Sequence, residues 1–198
     1  MPGDYTEPSM DEQELLQRAR SLDPSALGTV FDTYYGQLYR YLYTHLTHAR
    51  TAEDLAAEVF RIFLEQVGTG KGPTRSLRAW LYRVAHNLMV DEFRLRKNQE
   101  RDLLEEDGEE LLSLEQAPAV LVQHGEQRGA VLGALRRLSL KQQAVLTLKY
   151  LQGLENEEIA RALDLTPGTV RALQFRGLRA LERQLRQQGI ISEEMDGE

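Results

Sequence analysis

The sequence predicts an all-α fold of two small helical domains joined by a flexible acidic linker. Three observations predict it. Leu, Ala, Glu, Gln and Arg dominate while Val and Ile are sparse, a balance that favours helix over strand. Apolar residues recur at spacings of three and four, and no stretch alternates apolar and polar with the period of two that a half-buried strand shows. Between two such regions, residues 102–118 are acidic, poor in aromatics and interrupted by Gly108 and Pro118, the composition of a linker. The expected division is a first domain over 1–101, a linker over 102–123, a second domain over 124–191 and an acidic tail over 192–198. Helical bundles of about 90 and about 70 residues are small but feasible.

Composition removes several function classes. The 198 residues contain no Cys, which excludes a disulfide scaffold, a thiolate metal site and a cysteine nucleophile together. The N-terminus, MPGDYTEPSMDEQE, lacks the apolar segment of a secretory signal, and nowhere do about 18 consecutive apolar residues occur. No membrane insertion is expected, and the cytoplasm is the expected compartment. His45, His48, His86 and His124 form no nucleophile or metal constellation, so a hydrolase has little support and no metal or cofactor is expected. His45 and His48 are expected on a helix surface.

The formal net charge is −7, but screening confines each charge to roughly 8–10 Å, so distribution matters more than the sum. Acids gather in 4–23, in 102–115, which holds seven acids and no Lys or Arg, and in the tail, whereas bases gather in 75–101 and 161–186. An acidic chain with two basic segments is compatible with a nucleic-acid partner met at those segments.

Along the chain, Ser9 and Glu12 form a capping box for a short helix with Leu15, Leu16, Ala19 and Leu22 on one side. Asp23-Pro24 restarts the chain as N-cap and first helical residue, and Leu27, Val30, Phe31, Tyr34, Leu38 and Leu42 line one side of a helix reaching about Thr47. Tyrosines on that stripe bury their rings and keep their hydroxyls at the edge; Tyr39 and Tyr43 lie off it and remain open to a stacking role. Thr51 and Asp54 start the next helix, with Leu55, Val59, Ile62, Phe63 and Val67 inward. Its outer face of Glu53, Asp54, Ala57, Glu58 and Arg61 is either solvated or meets a partner. GTGKGPT then ends the helix in a mobile loop whose Gly spacing matches no phosphate-binding fingerprint.

Residues 75–101 read as an amphipathic helix with Leu77, Leu81, Val84, Leu88 and Phe93 inward, broadened by Ala85 and Val90. Off the stripe lie Arg75, Arg78, Arg83, Arg94, Arg96, Lys97 and Arg101 against only Asp91, Glu92 and Glu100. The second domain, from near His124, opens with a stripe of Val131, Leu132, Leu135 and Leu138. Ser139 caps a helix with Val145, Leu146, Leu148 and Leu151 inward, and Gly153 stops it.

Residues 154–185 read as helix, tight turn, helix. Ile159, Ala160 and Leu163 face inward on the first helix, Asp164-Leu165 turns, and Thr166 and Pro167 begin a second helix with Val170, Leu173, Leu178 and Leu181 inward. That spacing is the requirement of a helix-turn-helix. The outer face carries Thr169, Arg171, Ala172, Gln174, Phe175, Arg176 and Arg179: Arg pairs with guanine, Gln with adenine, apolar groups with the thymine methyl, and Thr169 with phosphate. A protein-binding αα-hairpin with a solvated basic face is the alternative.

Taken together, VFDTYYGQLYRYLY, AEDLAAEVFRIFLEQ, LRAWLYRVAHNLMVDEFR and LSLKQQAVLTLKYLQGLENEEIARALDLTPGTVRALQFRGLRAL resemble, in order, the conserved regions of the extracytoplasmic-function sigma factors of bacterial RNA polymerase. The match covers nearly the whole chain. It implies a sigma-2 and a sigma-4 domain and a role in initiation rather than bond chemistry, so no enzyme is expected. It implies docking on the polymerase core, at its clamp and flap, with Asp54, Glu58, Arg61 and Glu65 on the clamp-facing region. The −10 element of promoter DNA is then opened and read through the loop 68–74 and Arg75, Arg78, Trp80, Arg83, Asn87, Arg94, Arg96 and Lys97, Trp80 being equally open to a core role. The −35 element is read through Thr169, Arg171, Gln174, Phe175, Arg176 and Arg179. An anti-sigma protein is a further partner the resemblance suggests. Ala57, His86, the Leu173-Gln174 pair and Asp164 stand where the family often has Gln, Arg, Arg-Leu and Gly. A conventional dimeric helix-turn-helix regulator leaves residues 54–101 unexplained. The acids of 102–115 suggest mimicry of nucleic acid or shielding of the basic helices.

Overall fold

The computed structural model describes residues 12–46, 48–106 and 126–191. These form α1 (Glu12–Arg20), α2 (Pro24–Leu46), α3 (Ala49–Gly68), α4 (Leu77–Glu106), α5 (Glu126–Arg136), α6 (Leu140–Leu146), α7 (Asn156–Leu163) and α8 (Pro167–Gln187), with a π-helical turn over Thr147–Leu151 continuing α6. No strand occurs among the described residues, and the all-α expectation holds. Ser9, Gly108, Pro118 and most of the 102–123 segment lie outside the described residues; α4 itself runs to Glu106, into the stretch expected as linker.

Helices α1–α4 close around Val30, Leu38, Tyr41 and Leu42 of α2, Ala56, Val59 and Phe63 of α3, and Leu77, Leu81, Tyr82, Ala85 and Met89 of α4. Tyr82 and Met89, both fully buried, fall outside the expected α4 stripe, because α4 packs on α2 and α3 along one side and on α7 along another. A helix with two partners needs a wider apolar sector than a surface helix. The same core continues without a break into Val145, Leu148, Leu154, Ile159, Ala160, Val170 and Leu173. The two expected domains thus share one apolar seam. A smaller cluster of Leu135, Leu138 and Leu146 lies beneath α8, and Gly177 permits that approach: a Cβ there meets the Leu146 side chain at 3.0 Å.

Local chemistry explains the helix ends, with some changes of partner. Glu12 caps across space, its Oε1 accepting from the Arg78 backbone N–H at 2.9 Å and from the Ser76 hydroxyl at 3.3 Å. This satisfies orphan donors at the start of α4, which begins at Leu77 rather than Arg75. Thr51 is inside α3, whose N-cap is His48; its hydroxyl accepts from Arg96 at 3.1 Å instead. Ser139 closes a reciprocal capping box with Gln142, and Thr166 accepts from the Thr169 N–H at 3.1 Å. The loop after α3 is held down, with Gly72 and Pro73 buried and the Lys71 N–H on the Gln66 carbonyl at 2.8 Å.

Several residues expected inside are outside. Phe31, Val131, Leu151 and Leu178 are all exposed. The π turn accounts for Leu151: widening the helix re-aims its last residues, sending Tyr150 and Leu151 outward. His45, expected on a helix surface, is 5% exposed, because α6 covers it.

Asp164 ends α7 in the left-handed region, at φ 54° and ψ 50°. Its Cβ meets the following carbonyl there, a strain glycine lacks. Asp164→Gly is expected to raise the unfolding free energy by about 0.5–1 kcal/mol, less than the full strain because glycine also loosens the unfolded chain. A urea midpoint equal to or below that of the parent chain would refute this.

Candidate nucleic-acid and partner interfaces

The face of α8 is built by the burial of its opposite side. Val170, Leu173 and Gly177 are buried, which turns Arg171, Ala172, Phe175, Arg176 and Arg179 outward. Phe175 is 64% exposed, with the Arg179 guanidinium 5.6 Å from its ring centre. An exposed ring flanked by cations offers an apolar contact for a thymine methyl beside donors for guanine or phosphate. Thr169 stays in the cap, its hydroxyl 2.9 Å from that of Thr166. Gln174, expected on this face, departs from it. It is half-buried and donates to the Asn156 side chain at 2.8 Å, which ties α8 to the start of α7.

Along α4 the basic residues divide into two sets. Arg75, Arg83, Asn87, Arg94 and Lys97 are exposed, Arg94 pairing loosely with Asp91 at 3.2 Å. Arg78 and Arg96 are engaged in the fold. Arg78 donates to the Gln152 carbonyl, and Arg96 bridges Glu92 at 2.7 Å and Thr51 at 3.1 Å, clipping α4 to α3. Trp80 is half-buried, its ring 5.9 Å from that of Phe63. His86, which stands where a DNA-contacting arginine is common in the resemblance, points inward and lies 3.0 Å from the Tyr41 hydroxyl. Burial pushes its pKa down to about 4, so it is a neutral packing group at pH 7.

On α3, Asp54 is exposed, and Arg61 ties Glu58 at 2.7 Å and Glu65 at 3.2 Å. That arginine holds the Glu58 carboxyl below its ordinary range. Exposed pairs of this kind add little stability. Their effect is to present an ordered, acidic face, with three carboxylates to one guanidinium. Beside it lies an apolar patch missed in the sequence: Phe31, 4.9 Å from both Tyr35 and Phe60, and Leu64, 48% exposed. Phe31 reads as core because Leu27 and Tyr34, four before and three after it, share its side of α2, and its neighbours along the chain carry no signal of exposure. Tyr39 and Tyr43 stack on each other at 5.8 Å and pack on the core rather than standing free.

The two basic regions meet. A cleft of about 540 Å³ is lined by Arg75, Trp80 and Arg83 on one side and by Arg161, Asp164 and Pro167 on the other. Among the described residues no group of three His, Asp or Glu side chains is placed to hold a metal ion, and no helix is long and apolar enough to cross a membrane.

Comparison with known proteins agrees with this geometry. Sigma-70 region 2 matches residues 30–99, and sigma-70, region 4 matches residues 128–181. The chain is 37% identical over 175 residues to the ECF RNA polymerase sigma factor BldN of Streptomyces coelicolor, an alignment covering 87% of this chain and 65% of BldN. It is 28% identical over 178 residues to SigW of Bacillus subtilis, covering 86% of this chain and 95% of SigW. Among solved structures, CnrH in complex with the cytosolic domain of CnrY has a TM-score of 0.66 at 20% identity, covering 89% of this chain and 97% of CnrH. RpoE of Bartonella quintana, in complex with the anti-sigma factor NepR, has 0.63 at 20% identity, covering 80% and 96%. At that identity the likeness speaks for the fold. With both sigma-70 regions present in order and relatives of this group aligned over most of its length, the chain belongs to the extracytoplasmic-function sigma factors.

Proposed function

We propose that the chain directs RNA polymerase to promoters, reading the −35 element with α8 and opening and reading the −10 element with α4. The observation that carries this is the pair of exposed basic faces on two units matching sigma-70 regions 2 and 4. Arg171, Phe175, Arg176 and Arg179 supply base and backbone contacts in the major groove, with Thr169 and the start of α8 on phosphate. Arg75, Arg83, Asn87, Arg94 and Lys97 face the opened strand. Arg78, Trp80 and Arg96 reach it only if their present partners are released, and Gln174 supports α7 rather than reading bases. Asp54, Glu58, Arg61 and Glu65, beside the apolar patch of Phe31 and Leu64, form the surface for the polymerase clamp, and the second unit meets the flap.

No bond chemistry falls to this protein. Its work is to hold unstacked bases, whose extrusion costs a few kcal/mol that stacking and backbone contacts must offset. The polymerase core makes the phosphodiester bonds. A protein of the anti-sigma class is a fitting regulator, since RpoE of Bartonella quintana, of the same fold, is solved with such a partner, and the cytoplasm is the compartment this role requires. The division of the chain at the segment after α4 accords with the two matched regions. Run-off transcription with purified polymerase core over a genomic library is expected to yield discrete start sites only when this chain is added. Failure to retain core in a pull-down would overturn the proposal.

Promoter geometry adds a requirement. Elements centred about 25 base pairs apart on duplex DNA are separated by about 85 Å. In this structure their two readers border a single cleft, so promoter engagement requires the seam between the units to open.

A further inference from the structure

We propose that His45 makes the seam between the two units proton-sensitive, so that the units close only over the neutral imidazole and separate when it is protonated. The seam is apolar apart from a few hydrogen bonds. Arg136 of α5 donates to the Thr44 carbonyl at 3.1 Å. Gln152 accepts from the Tyr82 hydroxyl at 2.9 Å and, at its backbone carbonyl, from Arg78. Gln143 of α6 meets His45 at 3.3 Å, from its Oε1 to the ring Nδ1.

The Gln143 contact fixes the state of the ring. Both hydrogens of the Gln143 amide are used, on the Arg136 carbonyl at 2.8 Å and the Leu138 carbonyl at 2.7 Å. Its oxygen therefore faces His45 and can only accept, so Nδ1 carries the proton. The other nitrogen, Nε2, is buried with no hydrogen-bond partner in the structure. A lone pair tolerates that position. A second N–H there finds no acceptor, and burial without a partner is costly for a donor and more so for a charge.

The Gln143 hydrogen bond offsets part of this cost, and burial outweighs it. On its own helix His45 meets the edge of the Tyr41 ring at 4.8 Å. From α4 the neighbouring titratable group is His86, and from α5 it is the Arg136 guanidinium; both oppose a positive charge, and α6 supplies only the Gln143 amide. Burial is the largest cause pushing the His45 pKa down to about 4.

A histidine whose pKa is lower in the closed form than its ordinary 6.5 binds fewer protons when closed. Closure is therefore fully supported above pH 6.5 and loses support as pH falls toward 4. The full displacement corresponds to a change of about 300-fold in the closed-to-open ratio. That opening exposes DNA-reading residues rests on the proposed function; the proton dependence rests on the seam alone.

The test needs neither polymerase nor promoter, so its outcome is separate from that of run-off transcription. The chain has no Cys, so Glu53→Cys and Gln187→Cys, both at exposed positions, place one spin label on each unit. Pulsed dipolar distances are then recorded from pH 8 to pH 4.5 alongside far-ultraviolet circular dichroism. The expected result is one short distance at pH 8 and a growing longer population below pH 6.5, with helical signal retained and the longer population absent in His45→Gln. A distance unchanged at pH 4.5, an equal response in His45→Gln, or loss of helix in step with the distance change each overturns the proposal. Histidine ring nitrogen shifts of the unsubstituted chain guard against a variant that fails to close. A neutral Nδ1–H tautomer at pH 8 whose protonation below pH 6.5 keeps step with the growth of the longer distance supports the latch, and protonation near 6.5 with the short distance retained overturns it.

Discussion

Replacing Tyr41 with alanine is expected to lower the unfolding free energy by about 4 kcal/mol, the range for deleting a buried aromatic ring. Tyr41 is fully buried, packs edge-on against Tyr82 at 5.5 Å and His45 at 4.8 Å, and lies 3.0 Å from His86 through its hydroxyl. Its removal opens a cavity between α2 and α4 beneath the seam. Tyr41→Phe keeps the ring and deletes only the hydrogen bond, so it is expected to cost about 1–2 kcal/mol, the penalty for a buried polar group left unpaired. Urea titrations followed by circular dichroism measure both. A difference between the variants of less than about 1 kcal/mol would mean that the ring is not the anchor its burial indicates.

The largest expected functional effect is at Arg171. Arg171→Ala in the polymerase-bound protein is expected to weaken binding to the preferred promoter by about 10- to 100-fold, with relaxed preference at one base pair of the −35 element. Arg94→Ala or Lys97→Ala serves as the contrast. Both residues are exposed on α4 and suit phosphate, so each is expected to weaken all promoters alike and to reduce the salt slope by about one. Binding across a set of single-base promoter variants at two salt concentrations separates these outcomes. A uniform loss for Arg171→Ala would reassign it to the backbone and leave Phe175 and Arg176 as the candidates for base reading.

Helix existence and type were legible in the chain because each helix carries local signals that packing did not override. Asp23-Pro24, Ser139 and Thr166-Pro167 mark helix starts where the structure has them, and Val170 with Leu173 fixes which side of α8 is buried. The exposed set on that helix came from the same period. Errors arose wherever a helix has a second partner. Tyr82, Met89 and His45 lie off or opposite the stripes expected for α4 and α2, yet all are buried. The α4 residues pack toward α7 as well as α2, and α6 covers His45, contacts between residues far apart in the chain. Gln174 turned inward for a related reason, since its partner Asn156 belongs to the preceding helix.

By itself, then, the amino-acid order determined the helices, the starts of α2, α6 and α8, and the basic character of the α4 and α8 faces, because each rests on neighbours within a turn or two along the chain. The tertiary structure alone decided which basic residues are free and which are tied. It turned Arg75 and Arg83 into one wall of a cleft and Arg78 into a strut of the seam. It also converted the segment 75–101 from a uniform basic face into a divided one. The physical reason is that a side chain's exposure depends on which surfaces cover it, and the covering helices α6 and α7 come from the other half of the chain.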